Sequence, residues 1–339
     1  MRKLLNLLYV TTQGAYLAKD GETVQVRVEH ETRLQLPIHT IEGIICFGQV
    51  SMSPALMGFC AEKGVGVSFL TEYGRFQARV QGPVNGNVLL RREQYRRADD
   101  DCASASIAQA ILLAKIANSR SVMMRAERER PSEELEAAAV QLAQSLRLTE
   151  KEMNLDTLRG LEGDAARVYF SVFNELIIAQ QEDFRFQERS RRPPLDRVNA
   201  LLSFVYVLLA HDLASALEAN GLDPAVGFLH RDRPGRNSLA LDLMEELRPV
   251  VADRLVLSLI NRRQVAAGGF TQCDSGAVQM DDATRKEVLV AWQKRKQEEV
   301  VHPFLGERIP IGLIPHAQAL LLARHLRGDL DAYPAFFWR

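Results

Sequence analysis

The sequence has few cysteines, almost no net charge and no long hydrophobic run. Its four cysteines form no C-x-x-C pair and no zinc-type cluster with histidine, so we expect neither a zinc site nor a disulfide framework, and a reducing, cytoplasmic location. Lysine and arginine (42) nearly balance aspartate and glutamate (43), so any anion site has to come from local clusters. The apolar run at residues 201–210 falls short of the roughly 18–20 residues of a membrane helix, and no membrane partner is expected.

The N-terminal part of the chain has the composition of a β domain. Its segments 23–28, 40–47 and 64–71 are rich in Val, Ile, Phe and Thr, which predicts strands. A helix is expected at Pro54–Lys63. The opening MRKLLNLLYV is interpreted as a strand and not as a signal peptide, because Asn6 interrupts its short apolar part.

The rest of the 339-residue chain has helical spacing, with prolines between the segments. The pattern predicts an α+β multidomain protein, with a small N-terminal β domain followed by a larger all-α domain. We expect a β domain over 1–81, a linker over 82–95, an α-helical catalytic domain over 96–330 and an aromatic C-terminal tail over 331–339.

Glu162 lies in the middle of an apolar stripe on its predicted helix, near Leu158 and Tyr169. A buried carboxylate needs a cation, a metal or a strong donor. The position alone leaves two interpretations equally open, a functional carboxylate and a structural salt bridge to Arg159.

His230 ends an apolar run and opens an arginine-rich turn; it suits a metal or phosphate site, but a lone histidine is more often structural. Asp242 and Glu245 are three residues apart and share one helical face, opposite the apolar stripe. Periodicity therefore favours a solvated charged face, although Leu241 beside Glu245 suggests partial shielding.

The pair His211-Asp212 is typical of HD phosphohydrolases, but no second histidine lies between His39 and His211.

Five segments together resemble one known family, the CRISPR-associated adaptation endonuclease/integrases (Cas-one), and within it the type I-C branch. The segments are GNVLLRREQYR (86–96), LRGLEGDAARVYF (158–170), RRPPLDRVNALLSFVYVLL (191–209), GFLHRDRPGRNSLALDLMEELRPVVADRLVLSLIN (227–261) and the tail from Ile314. The resemblance covers nearly the whole chain and implies the same two-domain order.

The resemblance implies a metal site made of Glu162 from G-L-E-G, His230 from G-F-L-H and an acid from D-L-M-E. It favours Glu245 as the third ligand and leaves Asp242 as a nearby second acid. These three residues would be both catalytic and metal-binding, with Mg²⁺ or Mn²⁺ as cofactor. Five arginines near them in sequence are candidates for DNA phosphates: Arg159, Arg231, Arg233, Arg236 and Arg248.

The implied function is a metal-dependent DNA endonuclease and integrase that inserts new spacers into a CRISPR array by phosphodiester transesterification, in antiviral defence. The implied partners are DNA (protospacer and CRISPR leader–repeat), a second copy in a homodimer formed by the β domain, and a small ferredoxin-like adaptation subunit. Two alternatives stay open, a non-catalytic DNA-binding scaffold and an HD-type phosphohydrolase using His211 and Asp212. The tail carries four aromatics and should dock; we favour the small partner subunit over the chain's own α domain.

Overall fold

A computed structural model describes residues 7–41, 43–72, 76–80, 82, 88–151, 153–191 and 193–338. The chain divides into two compact units, Met1–Asn85 and Gly86–Arg339. The first is rich in strands and the second is largely helical. The predicted fold class, a β-rich region followed by a larger helical one, is confirmed.

The described residues of the first unit form two four-stranded sheets. One has the order β1-β5-β7-β8, parallel except for its last pair. The other has the order β4-β3-β2-β6, in which β3 runs antiparallel to both neighbours. Their bounds are β1 Leu7–Val10, β2 Tyr16–Asp20, β3 Thr23–Val28, β4 Glu31–Pro37, β5 Gly43–Phe47, β6 Ser51–Met52, β7 Gly66–Leu70 and β8 Phe76–Val80.

Helix α1 of this unit spans Pro54–Lys63, the range expected from the sequence. Ser53 caps its first turn by accepting from the backbone N–H of Leu56. Gly64 ends it at φ 70, a left-handed conformation that glycine adopts without strain. The helix buries Leu56 and Phe59 in a core shared with apolar strand residues.

The second unit contains nine α-helices within its described residues. They are α2 Val88–Asp99, α3 Asp101–Glu129, α4 Glu133–Thr149, α5 Leu155–Ser171, α6 Arg197–Ala219, α7 Ser238–Leu247, α8 Arg254–Asn261, α9 Asp282–Gln297 and α10 Ile314–Leu326. A π-helical turn, Arg248–Asp253, joins α7 to α8. Sequence periodicity missed two short antiparallel hairpins, which are β9 Phe270–Gln272 with β10 Val278–Met280, and β11 Glu299–Val301 with β12 Arg308–Pro310.

The interval expected to be a linker is partly helical. From Val88 onward it forms the first part of α2, where Leu90 and Gln94 are buried. Gln94 donates to the carbonyls of Asp223 and Val226 at 2.8 Å. These contacts tie α2 into the second unit. Residues 83–87 lie outside the described part of the chain.

Helix α3 lies at the centre of this unit and packs against α4, α5 and α7. Helix α6 packs against α7 and α10. By length and composition α6 is apolar enough to cross a membrane, but 67% of its most apolar window is buried inside the fold. The helix therefore has the surroundings of a core helix.

The C-terminal tail packs into the helical unit, so the preference for a partner-bound tail is wrong. Tyr333 and Phe336 are almost fully buried. Glu246 accepts hydrogen bonds from the Tyr333 hydroxyl, the Phe336 backbone N–H and, at 3.0 Å, Gln318 Nε2. Asn118 of α3 donates to the Phe336 carbonyl at 2.8 Å. Sequence reasoning expected the tail to dock but could not choose this surface, because the polar groups that receive the tail come from three separate helices.

Candidate active site

Glu162 lies on α5, whose first turn is capped by Asn154 accepting from the Thr157 N–H at 2.9 Å. Its side chain is 29% exposed, so it is half-buried and not enclosed as the apolar stripe suggested. The Glu162 carboxylate pairs with the Lys115 ammonium of α3. The alternative salt bridge to Arg159 is wrong, because that guanidinium pairs with Asp156 at 2.8 Å.

Glu245 lies on α7 and is buried, with its side chain 2% exposed. Its Oε2 is 2.7 Å from Lys115 Nζ and its Oε1 is 2.8 Å from Arg248 Nη1. Burial alone would raise the pKa of this carboxyl, but Arg248, Lys115 and His230 outweigh it and hold the pKa well below its usual value. Glu245 is therefore an ionised carboxylate inside the protein.

The acidic face of α7 is not solvated, contrary to its periodicity. Asp242, Glu245 and Glu246 are each at most 1% exposed. The helix is enclosed by α3, α6 and the π-helical turn, so it has no free side. Each of these acids has cationic or hydrogen-bonding partners within the fold, as a buried carboxylate requires.

Asp242 binds the loop that carries His230 through hydrogen bonds. Its Oδ2 accepts from the backbone N–H groups of Phe228 (2.6 Å) and Leu229 (3.0 Å), and its Oδ1 from that of His230 (3.0 Å). The same Oδ1 lies 2.6 Å from His230 Nδ1. In the neutral imidazole, this contact favours the proton on Nδ1 and makes Nε2 the nitrogen available to a ligand. Nε2 lies 3.9 Å from Glu245 Oε1.

Gly227 allows this close approach. A Cβ at that position would lie 2.6 Å from Asp242 Oδ2, 2.9 Å from the Ser238 carbonyl carbon and 3.0 Å from the Leu239 nitrogen. Real Cβ atoms do not approach backbone and carboxylate atoms so closely. The glycine of G-F-L-H is thus required by the packing of the His230 loop on the start of α7.

Arg248 lies inside the protein, whereas the sequence analysis expected it to bind DNA phosphates. Its side chain is 12% exposed, it pairs with Glu245, and its guanidinium lies 4.9 Å from the Tyr206 ring. The Tyr206 hydroxyl donates to Asp253 at 2.6 Å. Burial raises the pKa of Asp253 to about 6, despite the hydrogen bond from Tyr206. Arg248 therefore supports Glu245 from inside the protein.

The other four arginines lie on the outer side of the site. Arg231 and Arg233 are exposed in the loop after His230, and Arg231 reaches Asp156 at 3.0 Å. Arg159 donates to the Leu229 carbonyl at 2.7 Å, which ties α5 to the His230 loop. Burial and the nearby Arg233 lower the pKa of Arg236, as expected where positive charges are crowded.

Lys115 is the functional residue that sequence reasoning missed. It lies in the middle of α3, and its ammonium contacts both Glu162 and Glu245. The sequence did carry a signal, because Lys115 is the one charged residue between Asp101 and Arg120. A lone lysine on a buried helical face requires an acidic partner.

The described side chains bring two of the three expected ligands, Glu162 and Glu245, to one cation, and the third, His230, lies with its Nε2 3.9 Å from Glu245 Oε1. As they stand, no group of three His, Cys, Asp or Glu in the described part of the chain is close enough to hold one metal ion. At this site, the Lys115 ammonium already lies between the two carboxylates. The donor set itself, two carboxylates and an imidazole Nε2 with its tautomer held by Asp242, fits a divalent ion.

The HD interpretation receives no support from the geometry. Asp212 forms an ion pair with Lys296 at 2.7 Å, and the two side chains are 9% and 4% exposed. Its carboxylate is therefore occupied by an internal cation. His211 and Asp212 lie on α6, a helix of the core.

The chain thus has a β-rich unit followed by a helical unit, and two carboxylates and a histidine meet between helices α5 and α7. The family model described as CRISPR associated protein Cas1 matches residues 8–294. The chain belongs to the Cas1 family. The resemblance drawn from the motifs is confirmed at this level, and the type I-C branch stays a prediction.

Two relatives match over their whole length. Proteins named "CRISPR-associated endonuclease Cas1 1" from Chlorobaculum tepidum and "CRISPR-associated endonuclease Cas1 2" from Rhodospirillum rubrum are each 54% identical, over 100% of both chains. Among solved structures, a CAS1 protein from Thermotoga maritima matches with a TM-score of 0.82 and 24% identity, covering 95% of this chain and 97% of its own. A structure described as a casposase bound to integration product matches with a TM-score of 0.83 and 22% identity, over 98% and 94%. These structural matches establish the fold.

Proposed function

We propose that this protein is a divalent-metal-dependent DNA endonuclease and integrase that inserts new spacers into a CRISPR array. Family membership and full-length relatives named endonucleases support the nuclease activity. The observation that carries the proposal is the meeting of Glu162 and Glu245 at one cationic atom, with His230 Nε2 3.9 Å from Glu245.

Glu162, His230 and Glu245 would hold the ion, which we propose is Mg²⁺ or Mn²⁺. Carboxylate oxygens suit both ions, and the imidazole favours tolerance of Mn²⁺. A divalent ion bound there supplies charge stabilisation for the attacking and leaving oxygens of a phosphodiester. Asp242 is assigned to positioning, because both its oxygens are used by the His230 loop.

The chain's own residues prepare this site before DNA arrives. Arg248 and Lys115 keep Glu245 ionised, and Asp242 holds the His230 ring with its Nε2 3.9 Å from Glu245 Oε1. Glu162 is the more exposed of the two carboxylates, so we propose that DNA approaches from its side.

Four arginines would bind the DNA phosphates at this entrance: Arg159, Arg231, Arg233 and Arg236. Guanidinium groups suit bidentate phosphate contact. With these phosphates held, a DNA 3′-hydroxyl would attack the scissile phosphorus. The attacking hydroxyl gives up its proton as one P–O bond forms and another breaks, and the leaving 3′-oxygen takes up a proton. With water as the nucleophile the same site would nick DNA.

The proposed assembly has three partners: protospacer and leader–repeat DNA, a second copy of the chain, and a small ferredoxin-like subunit. A solved neighbour of similar fold is described as a Cas6-RT-Cas1–Cas2 complex, and the small subunit would correspond to its Cas2. The strand-rich first unit is proposed to form the homodimer, because edge strands pair through backbone groups without needing charge. We place the protein in the cytoplasm.

A supercoiled plasmid incubated with Mn²⁺ or Mg²⁺ tests the proposal. We expect nicking and, with protospacer DNA and the small subunit, strand transfer; chelation and the variants Glu162→Ala, His230→Ala and Glu245→Ala should each abolish both. DNA binding without metal-dependent cleavage would favour the scaffold alternative. Nucleotide hydrolysis lost in Asp212→Ala would favour the HD alternative.

A further inference from the structure

Lys115 occupies the centre of the proposed metal site. Its ammonium contacts Glu162 and lies 2.7 Å from Glu245 Oε2. The lysine side chain is only 10% exposed. It comes from α3, whereas the two carboxylates come from α5 and α7, so this one cation joins three helices.

The charges of the two carboxylates proposed as ligands are balanced without any added ion. Glu162 and Glu245 supply two negative charges, and Lys115 and Arg248 supply two positive ones. The carboxylate of Asp242 is satisfied separately by three backbone N–H groups and His230. An uncompensated buried carboxylate is strongly destabilising, so the balance allows the site to exist before a metal binds.

The two cations differ in their freedom to move. Arg248 is packed over Tyr206 and cannot leave without disturbing that ring. Lys115 carries its charge at the end of a flexible four-carbon stem, with three rotatable donors. Its ammonium can move away from the carboxylates while the α3 backbone stays in place.

We propose that Lys115 is an internal counter-cation that holds the place of the metal between Glu162 and Glu245, so that metal binding displaces its ammonium. The inference rests on the proposed metal site. Two consequences follow: the lysine preforms the carboxylate pair in the metal-free protein, and it weakens metal affinity by competing for the same oxygens. Removing its charge should therefore tighten metal binding and destabilise the metal-free state.

Titration of Mn²⁺ into the full-length protein by calorimetry, with melting curves in chelator and in Mn²⁺, tests this. Lys115→Met should bind Mn²⁺ about tenfold more tightly than wild type or better. In chelator it should also melt at a lower temperature than wild type, and Mn²⁺ should raise its melting temperature by more. Lys115→Arg, which keeps the charge, should not bind more tightly than wild type.

Lys296→Met is the matched control, because Lys296 is also a buried lysine paired with a carboxylate at 2.7 Å. It should lose stability without any change in Mn²⁺ affinity. An unchanged or weaker affinity in Lys115→Met, or an equal tightening in Lys296→Met, would overturn the inference.

A labelling experiment on wild type covers the case in which Lys115→Met does not fold. Amine acetylation at Lys115, followed by mass spectrometry, should speed up when Mn²⁺ is added, whereas the rate at Lys296 should stay constant. A Lys115 rate that does not change with Mn²⁺ would contradict displacement. A different outcome would show that the proposed metal site itself fails: wild type does not bind Mn²⁺, or Glu245→Gln binds it as wild type does.

Discussion

Asp242 holds His230 at two points through one oxygen: Oδ1 lies 2.6 Å from the ring Nδ1 and 3.0 Å from the backbone nitrogen. The second oxygen accepts from the two preceding backbone N–H groups. One buried carboxylate therefore sets both the path of the loop and the orientation of the imidazole. An imidazole positioned in this way would be pre-organised for the metal-binding role that we propose.

Gly227→Ala should disturb this arrangement. The new Cβ would lie 2.6 Å from Asp242 Oδ2, so the carboxylate and the His230 loop must shift. We expect a loss of about 1–3 kcal/mol in the free energy of unfolding and a roughly tenfold or larger fall in metal-dependent cleavage. Gly58→Ala is the control, since nothing lies within 4 Å of its added Cβ. Wild-type stability and activity in Gly227→Ala would show that the loop does not depend on this contact.

The C-terminal tail should contribute to the stability of the isolated protein. Phe336 is 1% exposed and Phe337 is 40% exposed, so the two neighbours form a matched pair. Phe336→Ala should cost about 3–5 kcal/mol in urea unfolding, whereas Phe337→Ala should stay within about 0.5 kcal/mol of wild type. Deletion of residues 331–339 should lower the melting temperature. If deletion leaves the melting temperature unchanged and removes only partner binding, the tail serves the partner subunit.

Asp253 should make stability depend on pH in the acid range. Burial raises its pKa from 3.8 to about 6, so between these values the folded protein binds a proton that the unfolded chain has released. The stabilisation that this proton gives is therefore present below about pH 4 and is lost as pH rises to about 6. The free energy of unfolding changes by about 3 kcal/mol over this range. Asp253→Asn cannot titrate, so the stability difference between Asp253→Asn and wild type should grow in favour of the variant from pH 4 to 6. Parallel pH profiles in urea unfolding would refute the assignment.

The loop arginines should control the salt dependence of DNA binding. Arg231→Gln combined with Arg233→Gln removes two exposed cations, so the slope of log K against log[salt] should fall by about 1 for each lost phosphate contact. Arg308→Gln is the control, because its side chain is 77% exposed on the β11–β12 hairpin. Equal slopes in the double variant and in wild type would exclude these arginines from the DNA interface.

The local sequence pattern predicted the helices and strands better than it predicted the site. Strand β3 spans 23–28 and α1 spans 54–63, as expected, because alternation and Pro/Gly punctuation are local signals. The burial of the acidic face of α7 could not be read from periodicity, which assumes one solvated side, and α7 has none. Lys115, Glu162 and Glu245 come from three helices, so their meeting depends on packing and not on spacing.

The resemblance named three ligands, and local chemistry could not have chosen among the acids of α7. Asp242, Glu245 and Glu246 are all buried on one short helix. They differ only in their partners: the His230 loop for Asp242, the cations Lys115 and Arg248 for Glu245, and the C-terminal tail for Glu246. Those partners are distant in sequence, which is why the choice required the fold.

Mn²⁺ binding to Glu245→Gln and Glu246→Gln, measured side by side by calorimetry, tests the central claim most directly. The two acids are adjacent and equally buried, but only Glu245 faces Lys115 and the His230 imidazole. We predict that Glu245→Gln loses measurable Mn²⁺ binding while Glu246→Gln, confirmed as folded by its melting curve, binds as wild type does. Retained Mn²⁺ binding in Glu245→Gln would contradict the account.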